Sequence, residues 1–199
     1  DVIKFVQEME RITFWEAVKL LAERFGVPLP KRTGAIDDSA RLRAALFQMH
    51  ELAQQMFVEG MRSQSGAVAR EYLKKRGLNE QTIEEFGLGH APAHGQTMLQ
   101  RFRQEGFTEE QLRESGLVRE RESGGFYDAF RNRLMFPIHS ESGKIIGFGG
   151  RVIAQGEPKY LNSPETPLFE KGRELYGLLQ ARSAIRDEDC VIVVEGYMD

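Results

Sequence analysis

Apolar residues recur at helical spacing through residues 1–115, and then give way to short apolar runs separated by turns. The stripe Phe14, Val18, Leu21, Ala22, Phe25 predicts a helix that opens on a capping box at Thr13–Glu16 and stops at Gly26. Val2 to Met9 reads as another short helix. These helices carry Trp15 and several phenylalanines, which such short elements bury poorly alone, so they read as the tail of a domain. Pro28 to Gly34 is a linker by composition. From about Ser39 to Met61, the spacing of Leu42, Leu46, Met49, Ala53, Met56 and Phe57 predicts a long amphipathic helix. A second follows from about Gly66 and ends at Arg76-Gly77. Asn79 and Thr108 read as further caps, with Gly87 and Gly116 as stops, so residues 39–115 are expected to be mostly helical.

The period changes near Leu117. Leu134 to Ile138 reads as a buried strand, Glu141 to Lys144 as a turn, and Ile145–Phe148 and Arg151–Ala154 as separate strands broken by Gly149-Gly150. Lys159 to Pro164 reads as a loop, Leu178 to Arg186 as a helix, and Val191 to Val194 as a strand buried on both faces of a parallel sheet. There is no internal repeat and no low-complexity tract.

Composition adds little to this picture until it is resolved along the chain. The 199 residues are 41% hydrophobic and 29% charged, an ordinary globular balance with room for a core. No apolar run approaches the roughly 18 residues of a membrane helix, and Asp1 to Glu10 does not resemble a signal peptide. A single cysteine, Cys190, excludes a disulfide framework within these residues and fits a reducing cytoplasm. The net charge of −3 argues against a polyanion partner, but from Arg131 to Lys159 only Glu141 and Glu157 oppose Arg131, Arg133, Lys144, Arg151 and Lys159, a local charge of +3. Local clusters, not the whole-chain sum, set phosphate binding.

Two constellations carry chemistry. Glu195 stands where the last predicted strand ends, with Asp199 four residues on. Carboxylates beyond a strand's carboxyl end are placed to hold a hard cation such as Mg²⁺, and a solvated glutamate ending a strand is the competing reading. Arg131 and Arg133 alternate with Asn132, which predicts a shared strand face. Arg151 follows a glycine pair, and Lys159, Tyr160, Asn162, Lys171 and Arg173 follow in loop-like sequence. This set would grip a nucleic-acid backbone or a triphosphate, or form an ordinary solvated sheet face. Phe126, Tyr127 and Phe130 beside the arginines offer either core or base-stacking rings. Gly147-Phe148-Gly149-Gly150 lacks the third glycine of a dinucleotide loop, and His50, His90, His94 and His139 show no zinc spacing.

Taken in order, Phe130–Ile138, Gly147–Arg151, Lys159–Thr166, Lys171–Arg173 and Glu195–Asp199 resemble the bacterial DnaG-type primases. Tyr72 to Leu78 resembles that family's helical segment, and Asp1 to Pro28 the end of its N-terminal zinc-binding domain. The resemblance implies an enzyme that synthesises short RNA primers on single-stranded DNA at the replication fork, using ribonucleoside triphosphates. It implies Glu195 as metal ligand or acid/base group on the first strand of a toprim fold, with Asp199 assisting a Mg²⁺ or Mn²⁺ ion. It implies Arg76, Arg151, Lys159, Tyr160, Asn162 and Lys171 facing nucleotide and primer, and Arg131 and Arg133 in a template groove. The family's Zn²⁺ ligands would lie before Asp1, its paired aspartates and its contact with the replicative helicase after Asp199.

The fold expected is α+β: a helical N-terminal half, then a mainly antiparallel sheet region, ending in the first strand of the toprim fold. The organisation expected is a zinc-domain tail over 1–30, a linker over 31–38, an N-terminal subdomain of a polymerase core over 39–188, and a toprim strand over 189–199. Such a piece would supply a substrate-facing wall and be inactive by itself, a single-strand-binding module in practice. A fragment of another toprim enzyme is the remaining alternative.

Overall fold

The structure is a computed structural model that describes residues 2–10, 12, 14–27, 34–153 and 156–198, apart from the side chains of Trp15 and residues 34–37. The predicted cap at Thr13, most of the linker and Asp199 lie outside those residues. The chain divides into two units, Asp1–Ala40 and Arg41–Asp199.

In the first unit, α1 (Val2–Glu10) packs on α2 (Phe14–Phe25). Ala17 and Ala22 are buried, whereas Phe5, Met9 and Phe25 stay more than 60% exposed. Gly26 follows α2 with φ +63, the left-handed geometry that ends a helix.

The unit boundary falls inside α3 (Gly34–Arg62), which begins earlier than Ser39 and takes in part of the expected linker. Composition marks the turn residues there, but nothing after Gly34 breaks a helix. In the second unit α3 buries Leu46, Met49, Ala53 and Phe57 of the predicted stripe, leaves Leu42 and Met56 partly buried, and adds Met61. Then come α4 (Ala67–Lys75) and α5 (Glu80–Glu85), the latter capped by Asn79, whose side chain accepts the Thr82 N–H. β1 (Gly89–Ala91) interrupts the helices, followed by α6 (Thr97–Gln104) and α7 (Glu109–Glu114). Thr108 caps α7 with a full capping box shared with Gln111. Three residues are too few to show a strand period, which is why β1 was not foreseen.

A two-stranded ribbon pairs β2 (Val118–Glu120) with β3 (Phe126–Asp128). The main sheet is antiparallel, in the order β1, β4 (Arg133–His139), β5 (Ile145–Val152), β6 (Tyr160–Asn162). β5 runs through Gly149-Gly150 without a break, and β6 lies in the expected loop. The β4 residues that alternate along the strand feed two clusters. Met135 joins Phe57, Phe130 and Phe148 on one face, while Leu134 and Phe136 join Met61, Ala69, Leu73 and Leu88 on the other. Cover on both faces makes β4 a continuous apolar run, as in buried parallel strands. Pro137 is tolerated because it lies past the end of β1, where β4 is an edge. A 3₁₀ turn (Lys171–Arg173) and α8 (Leu178–Glu188) complete the described elements.

The fold is therefore the expected helical region followed by antiparallel sheet, but the toprim strand is not formed. Val191–Val194 is not paired in a strand and is 52–84% exposed. An apolar run becomes a strand only when a neighbouring strand takes its backbone groups, and among the described residues none lies beside it.

Candidate nucleic-acid interface

The face of the sheet that carries Phe136 also carries Arg151, Tyr160 and Asn162. Leu134 stands opposite Arg151 across β4 and β5, and Arg151 and Gly149 stand opposite Tyr160 and Asn162 across β5 and β6. Arg151 donates to the Tyr160 hydroxyl at 2.6 Å. Its guanidinium lies 5.0 Å from the Tyr72 ring centroid and 5.2 Å from that of Tyr160. Two aromatic faces hold the cation without neutralising it, so it remains available to an anion. Tyr72 belongs to α4, and Arg76 follows it by four residues, on the same side of that helix and one turn on. Arg76 is the C-terminal cap residue of α4, and it is exposed. Lys159 directly precedes β6, is exposed, and its carbonyl accepts the Val152 N–H at 3.0 Å.

Glu195 is exposed and lines a cleft of about 960 Å³ together with Tyr160, Asn162, Tyr176 and Tyr197. Tyr197 fixes this corner. Its hydroxyl donates to Asn162 Oδ1 at 2.8 Å, its ring stacks on Phe136 at 4.7 Å and 11°, and Tyr176 meets it edge-on at 4.7 Å. Burial, and then the neighbouring Tyr160, push the Tyr197 phenol up to about 12, so it is a standing donor at neutral pH. The ring rests on Gly149, where a Cβ would come within 2.3 Å of the hydroxyl oxygen. The glycine pair is therefore a seat for Tyr197 rather than a strand break. Glu195 offers one carboxylate oxygen pair suited to a hydrated divalent cation. Asp199 lies outside the described residues, and among those described no group of three metal-ligating acidic, histidine or cysteine side chains occurs.

The remaining residues sit elsewhere. Lys171 is exposed on the 3₁₀ turn, its N–H donating to Glu165 Oε1 at 3.2 Å. Arg131 and Arg133 do not share a strand face. Arg131 precedes β4 and is exposed, Asn132 turns at φ +50, and only Arg133 is in the strand. Arg133 is 5% exposed and donates to the Gly150 carbonyl at 3.3 Å. It lies on the sheet face opposite Arg151, because Gly150 and Arg151 alternate. The positive turn at Asn132 breaks the alternation that the sequence suggests.

Sequence reasoning gave no role to Tyr72, Tyr176 or Tyr197. Their signal is only visible in three dimensions, since each gains its meaning from a ring or cation distant along the chain.

The chain is similar to known proteins. Residues 56–182 match the family described as DNA primase catalytic core, N-terminal domain. The DNA primase of Halalkalibacterium halodurans is 43% identical over 100% of this chain and 34% of its own length. The chain thus spans about a third of that relative. A solved structure described as the DnaG primase catalytic domain bound to ssDNA is 41% identical, with a TM-score of 0.74 over 80% of this chain and 51% of that one. The zinc-binding and RNA polymerase domains of the Aquifex aeolicus primase align with 100% of this chain and 47% of theirs, at 31% identity and a TM-score of 0.70. By the match across residues 56–182 and the likeness along its whole length, the chain belongs to the DNA primase catalytic core family.

Proposed function

We propose that this chain forms the nucleotide- and template-facing wall of a DNA primase core, which joins ribonucleotides into short primers on single-stranded DNA. One observation carries the reading: Arg151, cradled by Tyr72 and Tyr160, shares a sheet face with Tyr160 and Asn162, and those two line one cleft with Tyr197 and Glu195. In such a reaction a primer 3′-hydroxyl attacks the α-phosphate of the incoming nucleotide and pyrophosphate leaves. Positive groups near the triphosphate oppose the charge that develops there. Arg151, Lys159 and Arg76 supply that positive field in our assignment, Tyr160 and Asn162 orient, and Lys171 contributes from the 3₁₀ turn. Arg131 serves the template side, with Arg133 behind it as a buried support.

A divalent ion, Mg²⁺ or Mn²⁺, would neutralise phosphate charge when bound. Glu195 is our candidate ligand and Asp199 its partner, with further carboxylates supplied from outside the described residues. Residues 1–30 are assigned as the tail of a zinc-binding domain, and contact with the replicative helicase to another part of the protein. Because the chain spans about a third of its relatives' length, we assign it binding rather than the complete reaction.

The test is fluorescence anisotropy of a labelled single-stranded oligonucleotide at several salt concentrations. Binding should weaken steeply with salt, by a slope of about −0.7 per phosphate contacted. Arg151→Ala and Lys159→Ala should each weaken it several-fold and flatten the slope. No binding at low salt, or identical curves for all three proteins, overturns the assignment.

A further inference from the structure

The two rings that hold Arg151 differ in how firmly they are themselves held. Tyr160 stands in β6, a three-residue strand at the edge of the main sheet, and is 39% exposed. Tyr72 comes from α4 and is half-buried against the cluster of Leu134 and Phe136. Ala69 and Leu73, three residues before it and one after, are fully buried in that cluster. Leu134 is the β4 partner of Arg151, so a helix seated on Leu134 can reach the guanidinium, and the Tyr72 ring does so at 5.0 Å.

The start of α4 is fixed as well. Gly66, directly before it, packs so closely on the Gly60 and Met61 carbonyl oxygens that a Cβ has no room. Arg70 ties the helix back to the end of α3: its guanidinium donates to the Met61 carbonyl and, at 2.9 Å, to that of Ser63. Tyr72 is thus placed by a close-packed corner and not by Arg151. Its hydroxyl is buried without a hydrogen-bond partner, so the ring alone is what it brings to Arg151.

Arg151 has need of such a wall. Among the described residues no carboxylate pairs with it, and its guanidinium donates to Tyr160. An arginine has several rotatable bonds, and ordering them on binding costs free energy that a side chain already in place does not lose.

We propose that Tyr72 is the positioning residue of Arg151: its ring, carried by α4, holds the guanidinium ready for a nucleic-acid phosphate. The proposal rests on the reading of Arg151 above, and adds to it a residue of the helical region that acts through that arginine.

A double-mutant cycle, read by anisotropy of the labelled single-stranded oligonucleotide, tests it. Tyr72→Leu should weaken binding about fivefold although no charge is removed, the scale of one cation–π contact. In the Arg151→Ala background the same change should have no further effect. Tyr72→Phe, which keeps the ring, should restore the affinity. A second measurement needs no change at Tyr72. In the nitrogen–proton spectrum of the wild-type chain, ring currents should set the Arg151 Nε–H apart from those of the exposed arginines, with Arg151→Ala identifying the signal. Tyr72→Leu should move it toward them. A Tyr72 that served only the core would weaken binding equally with and without Arg151. Equal weakening in both backgrounds, or an Arg151 Nε–H lying among the exposed arginines in the wild-type chain, overturns the proposal. If that happens while Arg151→Ala alone still weakens binding, only the role of Tyr72 is wrong. If Arg151→Ala binds as the wild-type chain does, the reading of Arg151 falls and this proposal falls with it.

Discussion

Tyr197 and Gly149 show how one side chain can tie a corner of a site together. The phenol reaches Asn162 only because residue 149 lacks a Cβ. Tyr197→Phe should cost about 1 kcal/mol, the net worth of one neutral hydrogen bond, since the stacking on Phe136 remains. Gly149→Ala should cost about 1–3 kcal/mol by forcing the ring away. Chemical denaturation of the double variant Gly149→Ala/Tyr197→Ala should then show less than the sum of the single losses, because the clash is gone. Strict additivity would disconnect the two residues.

His50 is a different kind of residue, a titratable group inside the core. It stacks on Phe148, its Nδ1 donates to the Leu46 carbonyl at 2.8 Å, and burial lowers its pKa from 6.5 to about 4. The unfolded chain therefore binds a proton there that the folded chain refuses between about pH 6.5 and pH 4. Stability must fall as pH falls through that window, by about 3 kcal/mol for this group. His90 and His139, also lowered by burial, add in the same direction. Urea denaturation across that pH range should show the loss in the wild-type chain and a reduced slope in His50→Leu. Equal slopes would contradict the buried neutral ring.

At the scale of elements, caps and stripes are written locally and pairings are not. The stripe of α3, the Asn79 and Thr108 caps and the apolar run of β4 were legible because each depends on neighbours within a turn or two. The three-residue strands β1 and β6 were not, because they exist only through the partners β4 and β5. The same reasoning failed at Val191–Val194, where an apolar run stands without a strand beside it, and at Asn132, whose left-handed turn sends Arg131 and Arg133 different ways. Of the candidate site, the grouping of Arg151, Tyr160 and Asn162 was legible, and the three share one sheet face. The aromatic groups that hold them, Tyr72 and Tyr197, come from elements remote in sequence. α6 depends on a partner of this kind: Asp128, from β3, accepts the Met98 and Leu99 N–H groups at 3.0 and 2.8 Å. Asp128→Ala should leave those donors buried and cost about 2 kcal/mol. A thermal midpoint unchanged from wild type would remove the carboxylate from the account of that helix.

For the whole molecule, the distribution of charge decides more than its sum. The net charge of −3 hides two cationic surfaces, one around Arg151 on the main sheet and one around Tyr127 on the ribbon. Each is organised by aromatic rings that hold arginines without neutralising them. Both faces of β4 and β5 are occupied, one by the core around Phe57 and Phe148, the other by the cluster of Phe136 and Tyr197. Function in this reading centres on the end of the sheet where Arg151, Tyr160 and Asn162 emerge, with Arg131 on the template side.

Amide chemical-shift mapping at low salt, with a single-stranded oligonucleotide added stepwise to the chain, tests that location directly. The account predicts that the shifts concentrate on residues 149–162 and on Tyr197, and that they fade as salt is raised. Shifts confined to α1, α2 or α8, with 149–162 silent, would contradict it.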